Sequence, residues 1–332
     1  MSRNHTARQF RIQSPGLAEI VQVDLPPGQA GEVLVRARYS GISRGTEALV
    51  FKGAVPPSQY QAMRAPFQQG DYPGPVTCGY SSVGEVVESG AGAEPGLAGR
   101  TVFCLHPHQD LYRVPAAAVT PLPEGVPAAR AVLGANMETA VNVCWDARPA
   151  PGDRIVVIGA GVVGLLAAWL CRQVPAAAVT VVDVNPAREA AARALGLPFA
   201  VQPPSGGDAD LVIHSSGHPD GLRAALASAG VEGTIVDASW YGARPVPLPL
   251  GEAVHARRLT IRSSQVGRIP PSRAPRWSHA RRLALALELL RAAALDTLIS
   301  GESEFAELPD VLARLSRDPR AALCHRIKYP EA

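Results

Sequence analysis

Residues 155–183 open with Ile155-Val-Val-Ile-Gly159-Ala-Gly161-Val-Val-Gly164 and close on Val179-Thr-Val-Val-Asp183. An apolar run of strand length feeds a glycine turn, the turn opens a helix, and a second apolar run ends on a carboxylate. That order is a complete dinucleotide-binding βαβ unit rather than an isolated glycine pattern. Gly159 permits the tight turn, Gly161 lets a pyrophosphate approach the backbone, and Gly164 lets the helix pack close to the strand. The helix start offers unpaired N–H groups and the positive end of its dipole to a phosphate. Asp183 follows at about the 20-residue spacing at which an acid accepts from a ribose 2′-hydroxyl. It would repel a 2′-phosphate, so the expected cofactor is NAD rather than NADP. Gly159, Gly161, Val162, Val163, Gly164 and Asp183 form the cofactor set of this turn.

A chain of 332 residues with 47% hydrophobic residues and a formal charge of +3 is long enough for about two domains with sizeable cores. Its densest basic pairs, Arg257-Arg258 and Arg281-Arg282, sit in or beside apolar patterns. Solvated helix faces and strand ends explain them, and nucleic acid is not an expected partner. No apolar run reaches the roughly 18 residues of a membrane span, and Met1-Ser-Arg-Asn-His-Thr6 lacks a signal-peptide core. A cytoplasmic protein without membrane contact is expected. Cys78, Cys104, Cys144, Cys171 and Cys324 lie far apart with no C-x-x-C pair, so they read as reduced, small buried hydrophobes.

Upstream the chain is β-rich. Glu32–Tyr39 alternates apolar and polar residues, and Ser82–Ser89 and Arg100–Cys104 are further short runs. Pro26-Pro27-Gly28, Gly90 to Gly92 and Pro95-Gly96 are the intervening turns. A compact β-barrel-like lobe is predicted. From residue 127 the pattern changes. Helix is expected over Ala128–Ala147, Pro219–Ala229, His279–Ala294 and Phe305–Ser316. Strands are expected over Asp210–Ser215, Gly233–Ala238 and Arg258–Ser263. Alternating strands and helices predict an α/β, doubly wound parallel sheet. Residues 56–75 form a long irregular stretch holding Tyr60, Met63, Phe67 and Tyr72. It reads either as a lid with aromatic faces or as a surface loop anchored by its own aromatics.

The order of parts resembles the medium-chain dehydrogenases and reductases over nearly the whole chain. Gly41-Ile-Ser-Arg-Gly-Thr-Glu47 is similar to that family's G-I-C-G-T-D segment, and Gly79-Tyr-Ser-Ser-Val-Gly84 to its G-H-E-x-x-G segment. Ala135-Asn-Met-Glu-Thr-Ala140 sits where a third zinc ligand usually begins the linking helix. These strings, with Ser239-Trp-Tyr-Gly242, look closest to the branch that includes bacteriochlorophyllide 2-hydroxyethyl dehydrogenase. The resemblance implies a GroES-like catalytic domain over 1–127 and 266–332, a Rossmann domain over 128–265, and a homodimer. It also locates a departure. The zinc-binding Cys position holds Ser43 or Arg44, the His position Tyr80 and the third position Ala135. The four cysteines of the structural-zinc lobe are missing. Hydroxyls and a methyl group are poor zinc ligands, so no metal is expected.

Without a metal, protein side chains must manage the substrate oxygen. Tyr80 is the first candidate, a phenol that donates to a forming alkoxide, with Arg44 or Lys52 near enough to lower its pKa; the alternative is a tyrosine closing a turn. Thr46 aligns with a proton-relaying hydroxyl and equally suits a local turn. Glu138 is either a base or a first-turn acid. Thr139 resembles a residue packing on the nicotinamide, and Arg44 one that binds pyrophosphate. Ser239, Trp240, Ser264 and Gln265 line the nicotinamide pocket by resemblance or serve as connecting loops. His106 and His108 read as a loop pair on a pocket rim, and His214 as a satisfied strand-end histidine. The function this implies is NAD(H)-dependent interconversion of a secondary alcohol and a ketone on a bulky, heteroaromatic-type substrate. An enoyl or quinone reductase and a non-catalytic NAD-binding protein are the alternatives.

Overall fold

A computed structural model describes residues 5–93, 96–318 and 322–330. Pro95 of the predicted turn and Met1–Asn4 of the N-terminal reading lie outside them. The chain divides into two compact units, Met1–Ala135 with Ile299–Ala332, and Asn136–Leu298.

The first unit is built from two sheets. In the larger, seven-stranded one, Ile299–Glu304, Cys324–Lys328, Glu32–Ile42, Ser82–Ser89, Thr101–Cys104 and Val119–Pro121 lie in that order, and Leu111–Pro115 also pairs with Glu32–Ile42. The alternation read in Glu32–Tyr39 holds from Val35 to Arg38, where Val35 and Ala37 are buried and Arg36 and Arg38 are not; before it, Val33, Leu34 and Val35 are buried in succession. The smaller sheet orders Leu17–Leu25, His5–Ser14 and Val76–Thr77. Its strands escaped prediction because charged residues such as Arg8, Arg11 and Glu19 interrupt their apolar pattern. Helix Arg44–Phe51 follows directly on Glu32–Ile42.

The second unit holds a six-stranded, wholly parallel sheet, in the order Phe199–Ala200, Ala178–Val182, Arg154–Ile158, Ala209–His214, Ala229–Asp237, Thr260–Ser263. From Arg154–Ile158 the chain passes first to one side and later to the other, so this strand and Ala209–His214 flank the switch point at which doubly wound sheets bind ligands. Ile155, Val156, Val157 and Ile158 are all buried, worth about 2 kcal/mol each in apolar area removed from water. The fold class read from the sequence is the observed one.

Several boundaries differ: the helix expected over His279–Ala294 ends at Leu289, and the strand expected over Gly233–Ala238 begins at Ala229. Two further differences bear on the organisation of the chain. The helix expected over Ala128–Ala147 is two helices, Ala128–Ala131 and Gly134–Ala147, because a turn from Leu133 N–H to the Arg130 carbonyl separates them. Residues 266–298, assigned by resemblance to the catalytic lobe, belong to the second unit. The guanidinium of Arg282 ties helix His279–Leu289 to Glu138, Asn142 and the Val266 carbonyl there.

Candidate functional site

Gly159 ends its strand at φ +107°, and a Cβ there would sit 2.7 Å from the Ser216 amide nitrogen. A Cβ on Gly164 would lie 1.9 Å from the Gly159 carbonyl oxygen. Both positions therefore require glycine. Gly161 is the N-cap of helix Val162–Cys171 and supplies no side-chain cap. The first amide with a backbone partner is Leu165, which donates to the Gly161 carbonyl. The earlier N–H groups of Val162, Val163 and Gly164 thus lack the side-chain acceptor that commonly caps a helix, as a phosphate cradle requires. These residues fit a dinucleotide.

Asp183 shapes that cradle as well as facing it. Its carboxylate accepts from the Ala160 amide at 2.8 Å and from the Asn185 amide at 2.9 Å. The positive charge of Arg188, which is buried, interacts with Asp183. An arginine beside the acid is the kind of group that accommodates a 2′-phosphate, so this corner carries features of both cofactor types.

Glu138 is buried and ion-paired with Arg282 at 3.1 Å. Burial raises its pKa, against the opposing pull of the Arg282 guanidinium. Asn142 continues the network to Arg282 Nη1 at 2.5 Å, and Ser264 donates to Asp146 at 2.7 Å. Glu138 and Ser264 are thus members of a polar framework within the second unit. Thr139 is half-buried on the same helix and Trp240 half-buried after Asp237, while Gln265 is exposed. Ser239 accepts from the Gly217 amide at 3.0 Å.

In the first unit, the Tyr80 phenol donates to Ser43 Oγ, and Thr46 hydrogen-bonds to the same phenol oxygen. Ser43 precedes helix Arg44–Phe51, and its amide donates to Glu47 Oε1 at 2.7 Å. The other Glu47 oxygen meets His108 Nε2 at 3.0 Å, His108 Nδ1 meets Ser40 Oγ at 2.7 Å, and Ser40 meets the Tyr329 hydroxyl at 3.0 Å. The structure therefore brings Tyr80 and Thr46 together, with Arg44 at the start of the same helix. The expected pKa effect is corrected: burial pushes the Tyr80 phenol up to about 12, and Glu47 and Cys78 push the same way.

Sequence reasoning missed Glu47 and Ser40, and it misplaced two histidines. His106 and His108 are buried rather than on a rim. His106 stacks on Tyr112 with ring centres 3.8 Å apart. Glu47 stands one residue beyond the capping-box position after Ser43, so the pattern did not announce it. The loop over 56–75 is anchored by its own aromatics: Tyr72 packs on Tyr60 and donates to Gln68 Oε1 at 2.8 Å.

Ser43, Tyr80 and Ala135 do not make a donor set for zinc. Among the described residues no group of three or more His, Cys, Asp or Glu side chains converges as a metal site. No described helix is long and apolar enough to cross a membrane.

Residues 135–210 match the model of the alanine dehydrogenase/PNT C-terminal domain. The D-guloside 3-dehydrogenase of Escherichia coli K12 is 25% identical over 96% of this chain and 95% of its own. An alcohol dehydrogenase from E. coli CFT073 complexed with NADH superposes with a TM-score of 0.76 at 20% identity, covering 97% of this chain and 99% of that one. A zinc-binding-type dehydrogenase from Sinorhizobium meliloti bound to NADP gives 0.77 at 19% identity, covering 98% and 99%. The chain has the medium-chain alcohol dehydrogenase-like fold. Solved examples of that fold hold either NADH or NADP. The medium-chain fold also accounts for the arrangement of a β-rich unit interrupted by a parallel-sheet unit.

Proposed function

We propose that this chain is a zinc-independent, NAD(H)-linked oxidoreductase that interconverts a secondary alcohol and a ketone. The observation that carries the reading is the hydroxyl cluster of Tyr80, Ser43 and Thr46, which by sequence resemblance stands where medium-chain dehydrogenases hold zinc ligands and a proton relay. The nicotinamide supplies or accepts the hydride when bound. The chain's own groups deal with the proton. A phenol held near 12 is neutral at ordinary pH and is a hydrogen-bond donor, so it suits protonation of the oxygen of a ketone being reduced. Ser43 and Thr46 fix the phenol, and Glu47 fixes Ser43 through its amide. Whole-length likeness to D-guloside 3-dehydrogenase supports a ring-borne secondary alcohol as substrate. A bulky or heteroaromatic ketone remains within the proposal, as do a homodimer and a cytoplasmic setting.

The test is a panel of cyclic ketones, 3-keto glycosides and bulky aryl ketones with NADH and with NADPH, on protein treated with chelator. Turnover with NADH, undiminished by chelation, is the expected result. Activity restored only by zinc refutes metal independence. Preference for NADPH, which Arg188 beside Asp183 favours, moves the reading toward a reductase of the enoyl or quinone type. Absence of NAD(P)H-linked turnover across the panel favours a non-catalytic NAD-binding protein.

A further inference from the structure

We infer that Ser216, aligned by His214 and Asp237, is a hydrogen-bond acceptor for a ribose hydroxyl of the bound nicotinamide nucleotide. The inference rests on the dinucleotide reading of the glycine turn. The three side chains form a linear array: Ser216 Oγ lies 2.6 Å from His214 Nε2, and His214 Nδ1 lies 2.9 Å from Asp237 Oδ1. The imidazole is fully buried, whereas Ser216 is exposed. Ser239 and Tyr241 hydroxyls lie 3.2 Å from Nδ1, and a Cβ on Gly221 would lie 2.2 Å from Ser216 Oγ. Ser216 is the end of the array that is open to solvent.

That open side belongs to the cofactor turn. Ser215 donates from its amide to Ile158 at 2.8 Å and from its hydroxyl to the Gly159 carbonyl at 3.1 Å. Ser216 N is the atom that a Gly159 Cβ would strike. Segment 215–217 therefore covers the switch point between strands Arg154–Ile158 and Ala209–His214, beside the N-terminus of helix Val162–Cys171.

The polarity of the array follows from counting donors. Asp237 accepts from the Ser239 amide at 3.0 Å and from the Tyr241 hydroxyl at 3.0 Å, and it needs the His214 Nδ1 proton to complete its set. Burial would raise its pKa, but these donors hold it below the usual carboxylate range. With the proton on Nδ1, His214 accepts at Nε2 and the Ser216 O–H points inward. Ser216 Oγ accepts from the His218 amide at 3.2 Å and offers its remaining lone pair outward. A sugar hydroxyl is the donor that fits, and the serine cannot return a proton to it.

Asp237→Ala tests the polarity. It removes the acceptor that holds the imidazole proton on Nδ1 and frees that proton to move to Nε2, turning the Ser216 hydroxyl outward, whereas an asparagine would keep an oxygen toward Nδ1 and the Ser239 amide. NADH affinity would be measured by fluorescence titration for wild type, Ser216→Ala and Asp237→Ala, with thermal melts to confirm folding and with ribose-deoxy NAD analogues as ligands. The expected result is about a tenfold loss in both variants. One deoxy analogue should bind wild type about tenfold more weakly than NAD and bind Ser216→Ala no worse than NAD does. Folded variants that bind NADH as wild type does overturn the inference and leave the dinucleotide reading standing. Wild type that binds neither NADH nor NADPH overturns both.

Discussion

Glu47 Oε2 lies 3.0 Å from His108 Nε2, and the two side chains are 1% and 0% exposed. A carboxylate so placed is shielded from water and owes its position to three neighbours: the imidazole, the Ser43 amide and the Cys78 thiol, whose Sγ lies 4.0 Å away. Removing Glu47 strips His108 Nε2, which is buried, and the Ser43 amide of the acceptor they share. Glu47→Leu is expected to cost about 3–5 kcal/mol by urea denaturation, and Glu47→Leu combined with His108→Leu to cost less than the single change. A single variant within about 1 kcal/mol of wild type would show that the pair contributes nothing.

Tyr80 depends on that pair through Ser43, and its chemistry can be tested apart from its packing. Tyr80→Phe keeps the ring and removes the donor. Ketone reduction should fall by about 10²–10⁴-fold in kcat, with cofactor affinity unchanged. The neutral phenol is the donor form; it is present below a pKa of about 12 and lost above it. The wild-type reduction rate should therefore carry no tyrosine inflection across neutral and mildly alkaline pH. An inflection near 7 that vanishes in Tyr80→Phe would mean that a cation lowers the phenol after all.

The parallel-sheet unit was legible because its central strands are buried on both faces. Apolar runs such as Ile155–Ile158 are continuous there, and the glycines that break them answer to steric demands visible in the spacing alone. The glycine turn was legible for the same reason. The side chains around Tyr80 were not, because Glu47, His108, Ser40 and Tyr329 come from four separated stretches. Only the pairing of Cys324–Lys328 with Glu32–Ile42 brings the last two together. His214 was legible as a satisfied strand-end residue. Its partner Asp237 lies on the neighbouring strand in register, which no local pattern announces.

The glycine turn makes its own demand. Gly164→Ala would set a methyl 1.9 Å from the Gly159 carbonyl and 2.5 Å from Ser215 Oγ. Helix and strand would have to separate, and strain of this kind costs about 1–3 kcal/mol. NADH affinity is expected to drop by at least tenfold, seen by fluorescence titration at a temperature where the variant remains folded. Unchanged affinity would mean that the turn is not where the nucleotide sits.

Glu138 separates two roles by a stability measurement. Arg282 is only 2% exposed and gives its guanidinium to Glu138, Asn142 and the Val266 carbonyl. Arg282→Met strands the carboxylate, so about 3–5 kcal/mol should be lost. Adding Glu138→Leu should restore part of it. Recovery of stability in the double variant with retained turnover would assign Glu138 to the framework, whereas recovery with turnover abolished would assign it to the chemistry.

His106 supplies a pH dependence with a definite sign. Burial between Phe67 and Tyr112 lowers its pKa from 6.5 to about 4, against the hydrogen bond to the Pro107 carbonyl. The unfolded chain binds the proton more readily than the folded one. Stability from the neutral ring is thus complete above pH 6.5 and declines as pH falls toward about 4, by roughly 3 kcal/mol in all. His106→Phe keeps a flat ring against Tyr112 and has no proton to gain. Urea midpoints at pH 7 and pH 4.5 should therefore fall further for wild type than for His106→Phe, the carboxylates common to both proteins cancelling in the comparison. Equal falls would mean that the ring is already protonated in the folded protein or reaches water before it titrates.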